Sequence, residues 1–380
     1  MQPAAPPVRF NQPSLAGNEM AYIRQALEAG HLSGNGAFTR RCQERVSAAA
    51  GGGRALLTHS GTAALEMAAI LCGLEAGDEV LMPSFTFAST ANAFVLRGAV
   101  PVFVDVRPDT LNLDEALLEA ALTPRTRAVC AVHYAGVACD MDAVLRFARR
   151  HGLWVVEDAA QALHACWQDR PLGSFGDFAA FSFHETKNVI SGEGGALVVN
   201  DPAAAARAEV VWEKGTDRAR FARGEVARYT WVDLGSSFLP GELTAAFLLA
   251  QLEAAPALTA RRLALWHRYH AGLAGLAAAG RLGRPQVPQG AGHNGHIYRV
   301  MARDGAAREG LRAALGRAGV AAVGHYVPLH SAPAGRRFGR TPLPMPVTDD
   351  AAARLLRLPL HPRLGEGEQD RVLDALARAA

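Results

Sequence analysis

Lys187 and Asp158 offer the most chemistry in this chain. Lys187 stands in SFHETKNVISGEGGALVVN (182–200), after an apolar run ending FAAFSF and before a cluster of glycines, and it is the only lysine between Met1 and Val211. Asp158 ends another apolar run, LWVVEDAAQ (153–161), with Gln161 three residues beyond it. A lysine can form a Schiff base with an aldehyde cofactor, and an aspartate can keep a pyridine nitrogen protonated so that the ring accepts electrons. An amine and a carboxylate at the ends of two apolar runs, with small residues around both, are therefore the parts of a pyridoxal phosphate site. Each also has a plainer reading: Lys187 as a surface-loop lysine and Asp158 as a helix cap. An ordinary lysine, with a pKa of about 10.4, is protonated at neutral pH, and the apolar, glycine-rich setting of Lys187 suits a lowered value.

These residues need elements to hold them. Seven short apolar runs read as strands: RALLTH, DEVLMP, VPVFVDV, RAVCAVHYA, LWVVEDA, DFAAFSF and GALVVN. Helical patterns such as GTAALEMAAILCGL and DMDAVLRFARRHG lie between them, and the strand, helix, strand rhythm is expected to run through all seven. The fold class is α/β, a large domain with a mostly parallel seven-stranded sheet flanked by helices, followed by a smaller α+β domain. NEMAYIRQALEAG reads as a leading helix with Asn18 as N-cap. The rhythm changes near residue 250, giving domains 1–250 and 251–380. In the second, HIYRVMA reads as a strand, REGLRAALGRAG as a helix, AVGHYVPLH as strand and loop, with a last helix from about Glu366.

Ligands of an open parallel sheet collect beyond the carboxyl ends of its strands. HSGTAA (59–64) joins a strand to a helix there, so Ser60, Gly61 and Thr62 can present amides and hydroxyls to a phosphate, or simply cap the helix. Phe87 in PSFTFAST can stack on a flat ring or fill the core. His184 can tune the lysine or merely pack, and Ser182 can donate to a phosphate or cap a turn.

Composition excludes several classes. With 49% hydrophobic and 20% charged residues over 380, the chain can bury a large core. A formal charge of +3 from 39 basic and 36 acidic residues gives no global attraction to nucleic acid or membrane, so any anion site is local. Five scattered cysteines without CxxC spacing suggest free thiols in a reducing compartment and no structural zinc. Without a secretory apolar core near Met1 or an apolar run of the roughly 18 residues needed to span a bilayer, the expected location is cytoplasmic. No GxGxxG opens the first strand-helix unit, which disfavours a nicotinamide enzyme.

SFHETKN with GEGGA, EDAAQ, HSGTAALEMA and MPSFTFASTANAFVLRGAVPVFVDV together resemble the nucleotide-sugar aminotransferases of the aspartate-aminotransferase fold, fold type I. HYAGVACDMDA, EKGTDRARF, YTWVDLGSS and HYVPLHSAPAGRRFGR are similar to the dTDP-4-amino-4,6-dideoxygalactose transaminases among them. The resemblance runs from about Arg9 to the end. It implies pyridoxal 5'-phosphate on Lys187, which would also move the proton between substrate and cofactor carbons. Asp158 would pair with the ring nitrogen, Gln161 with the ring hydroxyl oxygen, and Ser60, Gly61, Thr62 and Ser182 with the phosphate, while Phe87 stacks on the ring. L-Glutamate would be the amino donor and dTDP-4-keto-6-deoxy-D-glucose the acceptor, with 3-keto or UDP-linked sugars, or a non-catalytic regulator on the same fold, as alternatives. Relatives using pyridoxamine phosphate for sugar dehydration carry histidine where this chain has Lys187. Family members are homodimers that share active sites, and Ser237 stands where many have a partner-reaching asparagine. Arg218 and Arg220, in the basic stretch after Lys214, would meet the nucleotide diphosphate, or simply belong to a solvated loop with scattered ion pairs. Tyr326 and His330, together with His184, would approach the sugar, unless the first two only end a buried strand, and HLSGNG (31–36) would form a loop over the same pocket. No metal is implied.

Overall fold

The computed structural model describes residues 6–380. Two helices, α1 (Glu19–Glu28) and α2 (Ala37–Ala49), precede the sheet. Next come β1 (Arg54–Thr58), α3 (Gly61–Leu71), β2 (Glu79–Pro83), α4 (Ala88–Val95), β3 (Val100–Val104), α5 (Leu118–Ala121), β4 (Thr126–Val132), α6 (Met141–His151) and β5 (Trp154–Asp158). The short strands β6 (Cys166–Trp167) and β7 (Arg170–Pro171) lead to β8 (Phe178–Ser182) and β9 (Gly195–Val199), then α7 (Ala205–Trp212) and α8 (Arg218–Ala222). The long helix α9 (Glu242–Gly272) is followed by α10 (Ala274–Ala278), β10 (Ala291–Gly292), β11 (Tyr298–Met301), α11 (Gly305–Arg317), α12 (Pro333–Phe338), α13 (Pro346–Arg354), β12 (Leu355–Leu358) and α14 (Glu366–Ala379).

All seven apolar runs became strands of one sheet, ordered β1-β9-β8-β5-β4-β2-β3. Only β9 runs antiparallel, paired with β1 on one side and β8 on the other. Strands such as β2 and β9 are buried along their whole length, because helices cover both faces of the sheet. The expected rhythm stops early. Helices connect the strands from β1 to β5, but β5 reaches β8 through the β6–β7 hairpin, and β8 reaches β9 through the Lys187 loop. That loop can be short because β9 returns antiparallel, which needs no crossover helix.

Of two local expectations, one holds in position and the other needs correction. Asn18 occupies the N-cap of α1 without a side-chain cap bond; Glu19 instead accepts the amides of Ala16 and Gly17, at 2.5 and 2.8 Å. AVGHYVPLH forms no strand. It pairs only through Val323 with Arg357, and Pro328, which lacks an N–H, precedes a single 3-10 turn at Leu329–Ser331.

α9 is the one described helix long and apolar enough to cross a membrane, yet it is a core helix. Ala246, Leu249 and Leu252 from its first half pack with residues of α2, β8 and β9, whereas Leu265, Trp266 and Tyr269 from its second half pack with the β11–β12 pair and α14. Residue 250 falls inside this helix.

Candidate active site

The carboxyl ends of β1, β2, β5 and β8 open into a cavity of about 510 Å³, closed on the far side by Tyr326, Arg357 and Leu358. Ser60, Gly61, Thr62, Phe87, Asp158, Gln161, Ser182, His184, Lys187 and Tyr326 all line it. Residues far apart in sequence thus meet in one space.

Lys187 follows β8 in a tight turn, its amide donating to the His184 carbonyl at 2.9 Å. The residue is half-buried and lines the cavity, while protein surrounds its amine. Burial lowers its pKa from 10.5 to about 8; Asp158 opposes the fall and the Arg357 guanidinium adds to it. Asp158 is buried at the end of β5, and no helix follows it, so it caps none. Its Oδ2 accepts the Thr90 hydroxyl at 2.7 Å and its Oδ1 the Ala160 amide at 3.2 Å; Thr86 in turn bonds Thr90 at 2.8 Å. These donors orient the carboxylate as an acceptor.

Ser60 is the N-cap of α3, its Oγ accepting from the Ala63 amide at 3.1 Å, while Thr62 bonds Ser89 at 2.7 Å. Two glycines let this helix end approach the sheet. A Cβ on Gly61 would come within 2.8 Å of the Ser182 Cβ, and one on Gly195 would overlap the Ser60 carbonyl. The free amides and positive end of α3 therefore face the cavity beside Ser182, a seat for an anion. Phe87, 62% exposed at the start of α4, fills no core and lines the cavity wall. Gln161 accepts the Ala135 amide at 2.7 Å and donates to the Tyr326 hydroxyl at 3.0 Å, joining the end of β5 to the small region. His184 bonds Thr186 at 2.9 Å.

Other expected residues lie elsewhere in this chain. Arg218 pairs with Glu213 at 3.2 Å and Arg220 with Glu225 at 3.2 Å, both on or beside α8. Ser237 is exposed, opposite Glu213. His330 bonds Ser84 at 2.7 Å through its ring, tying the 3-10 turn to the end of β2 without lining the cavity. The segment 31–36 sits on the start of α9, where Gly36 donates to the Glu242 carboxylate at 3.0 Å, and forms no cover over the cavity.

Sequence reasoning missed several wall residues. Thr86 and Thr90 carried a faint signal, hydroxyls four apart ahead of the Asp158 run. His325 is driven down to about 2 by burial and the Arg357 and Lys187 charges, and burial also lowers His296, so both rings are neutral at physiological pH. Arg262 spends its fork on the Gly295 and His296 carbonyls, at 3.1 and 2.8 Å. Arg357, alone in the apolar run LLRLPL, was the most readable of these.

A depressed lysine, a fixed carboxylate and an anion-binding helix end in one cavity fit a pyridoxal phosphate site, and comparison with known proteins agrees. The sequence profile of the DegT/DnrJ/EryC1/StrS aminotransferase family matches residues 13–377. The chain is 34% identical over 375 residues to the spore coat polysaccharide biosynthesis protein SpsC of Bacillus subtilis, covering 97% of this chain and 95% of that one. It is 34% identical over 373 residues to the GDP-perosamine synthase of Caulobacter vibrioides, covering 98% of each. Among solved structures, DesV of S. venezuelae superposes with a TM-score of 0.89 at 33% identity over 98% of both chains. The PMP-form of the sugar aminotransferase Spr1654 of Streptococcus pneumoniae does so at 0.89 and 25% identity, again over 98% of each chain. With a family match across nearly the whole length, and with lysine, carboxylate and helix end gathered in one cavity, this chain belongs to the DegT/DnrJ/EryC1/StrS aminotransferase family.

Proposed function

We propose that this protein is a pyridoxal 5'-phosphate-dependent aminotransferase that carries an amino group from L-glutamate to a nucleotide-linked keto-deoxysugar. The foremost acceptor is dTDP-4-keto-6-deoxy-D-glucose, giving dTDP-4-amino-4,6-dideoxy-D-galactose. The observation that carries the reading is the buried amine of Lys187, with a pKa of about 8, in the same cavity as the oriented carboxylate of Asp158.

Lys187 would hold the cofactor, Asp158 its ring nitrogen, Gln161 its ring oxygen, Phe87 its face, and Ser60, Gly61, Thr62 and Ser182 its phosphate. When bound, the cofactor supplies an electron-poor ring that stabilises negative charge on the substrate carbon. A lysine of pKa about 8 is neutral in about a tenth of molecules at pH 7, against less than a thousandth at 10.5. Lys187 can therefore attack as a free amine and afterwards accept and return a proton at its Nζ. Asp158, accepting from Thr90 and Ala160, favours a proton on any nitrogen facing it. The neutral rings of His325 and His296 leave proton transfer to Lys187.

The basic segment with Arg218, Arg220 and Ser237 does not line the cavity of its own chain. We assign it to a homodimer in which this segment meets the partner's nucleotide sugar. Its exposed Tyr229, Trp231, Val232 and Leu234, 50, 77, 53 and 45% accessible, support an apolar contact there.

The test incubates the protein with L-glutamate and dTDP-, UDP- and GDP-linked 3-keto and 4-keto sugars, identifying products by mass and NMR. The reading expects the dTDP-4-keto sugar to give the 4-amino product fastest. Amination of a 3-keto, UDP- or GDP-linked sugar alone would refute the substrate assignment, and no amination of any would refute the reaction.

A further inference from the structure

His296 has its tautomer fixed by its neighbours. It is buried in the segment before β11 and lines the cavity that holds Lys187. Asn294 donates from its side-chain nitrogen to the Gln161 and Leu163 carbonyls, at 2.8 and 2.9 Å, so its side-chain oxygen takes the His296 amide, at 3.1 Å. The Asn294 carbonyl, which can only accept, claims the side-chain nitrogen of Asn188 at 3.0 Å. The remaining Asn188 oxygen lies 2.9 Å from His296 Nδ1 and also can only accept, so Nδ1 carries the ring proton. Burial and the Lys187 charge keep the ring neutral. Nε2 is therefore a bare acceptor, and it has no hydrogen-bond partner among the described residues. His325, the other histidine of the wall, is not constrained in this way: its Nδ1 faces the Tyr134 hydroxyl at 3.1 Å, which can donate or accept.

Lys187 supplies the complementary group. It precedes Asn188 in the chain, and its amine feels burial and the charges of Asp158 and Arg357, with no hydrogen bond among these influences. Lys187 and His296 also share a second cavity of only about 10 Å³, with Asn188 and Asn294 in its wall, room for a single water at most. We propose that His296 is a positioning residue, its Nε2 accepting a hydrogen bond from the Lys187 amine whenever that amine is free of the cofactor. The proposal rests on the aminotransferase reading above. An amine with one N–H tied to a fixed acceptor has fewer orientations, and its lone pair is left to the cavity, where Lys187 must attack and carry a proton. Because Asn294 hangs on the Gln161 and Leu163 carbonyls just beyond β5, the acceptor is held in register with the Asp158 end of the sheet.

The test compares His296→Gln, whose side chain can put an oxygen near the Nε2 position, with His296→Asn, which reaches only the Nδ1 position and keeps the contact with Asn188. Far-UV circular dichroism and cofactor absorbance establish that both fold and load. In stopped-flow half-reactions of the cofactor-loaded protein with L-glutamate, His296→Asn is expected to slow the saturated rate roughly 10-fold or more, with little change in the half-saturating concentration. His296→Gln should slow it less than about threefold. A role confined to holding Asn188 predicts the reverse order, and that order, equal losses or an unchanged rate in His296→Asn would overturn the proposal. ¹⁵N NMR of histidine-labelled protein loaded with pyridoxamine phosphate, in which the lysine amine is free, reads the bond without turnover and without altering His296. The His296 signal, identified by its loss in His296→Gln, should show a protonated Nδ1 and an unprotonated Nε2, and Lys187→Met should move Nε2 toward the shift of a nitrogen free of hydrogen bonds. A proton on Nε2, or a shift indifferent to Lys187→Met, would overturn the proposal while leaving the aminotransferase reading intact. A shift that follows Lys187 in a protein that transfers no amino group would refute that reading and leave the contact standing.

Discussion

Replacing Asp158 with asparagine isolates the electrostatics of the site. Burial and the Arg357 charge push the Lys187 pKa down from 10.5 to about 8, and Asp158 pushes it up. The net fall corresponds to roughly 3 kcal/mol against the ammonium form, at about 1.4 kcal/mol per pKa unit. Asparagine keeps an oxygen for Thr90 but removes the charge that favours the ammonium, so the amine must become still easier to deprotonate. An opposite charge at close range moves a pKa by about 1–3 units, so the value should fall to about 7 or below. The chain contains two lysines, Lys187 and Lys214, which makes the measurement clean. Reductive ¹³C-methylation of cofactor-free protein gives one NMR resonance for each, and Lys187→Met identifies which is which. The Lys187 resonance should titrate near pH 8 in the wild type and at least about one unit lower in Asp158→Asn. An unchanged or raised midpoint would mean that the two side chains are not coupled, refuting the paired arrangement.

Other perturbations follow from the same geometry. The folded amine of Lys187 binds its proton more weakly than the unfolded one, so its destabilising effect is full below about pH 8 and fades as pH rises through 10.5. Cofactor-free Lys187→Met should therefore be more stable at pH 7 by up to roughly 3 kcal/mol, less the part screened by water in the cavity, with the gap shrinking from about pH 8 and closing only above about pH 10.5 in denaturant titrations. Gly195→Ala would drive a methyl group into the Ser60 carbonyl; it should cost about 1–3 kcal/mol in thermal unfolding and weaken cofactor retention on dialysis. Glu242 is buried and accepts the amides of Gly36, Phe38 and Thr39, at 3.0, 2.8 and 3.1 Å, fastening α2 to α9. Glu242→Ala should lower stability by about 3 kcal/mol or more while leaving the absorbance spectrum of surviving holoprotein unchanged.

Much of this arrangement was legible in the sequence because its signals are local. The strands of a doubly covered parallel sheet are unbroken apolar runs, so all seven declared themselves, as did Asp158 at the end of one and Lys187 soon after another. The unread parts depend on contacts distant in sequence. Nothing near Arg357 indicates that β12 turns it toward Lys187, 170 positions earlier, although an arginine inside LLRLPL hinted at an unusual burial. The segment 322–330 has the composition of a strand, but it meets the free edge of β12 at Val323 alone, and Pro328 removes a donor. Arg218 and Arg220 illustrate the opposite limit: a basic stretch resembling a diphosphate site holds neighbouring acids within one chain.

The central claim is that Lys187 carries the cofactor, and borohydride reduction followed by proteolysis and mass spectrometry tests it most directly. Reduction fixes the cofactor to the amine that holds it, and only two lysines compete. The peptide containing Lys187 should gain the mass of the reduced cofactor at close to one per chain, and Lys187→Met should gain none. A label on Lys214, or no label on a protein that has bound pyridoxal phosphate, would contradict the account.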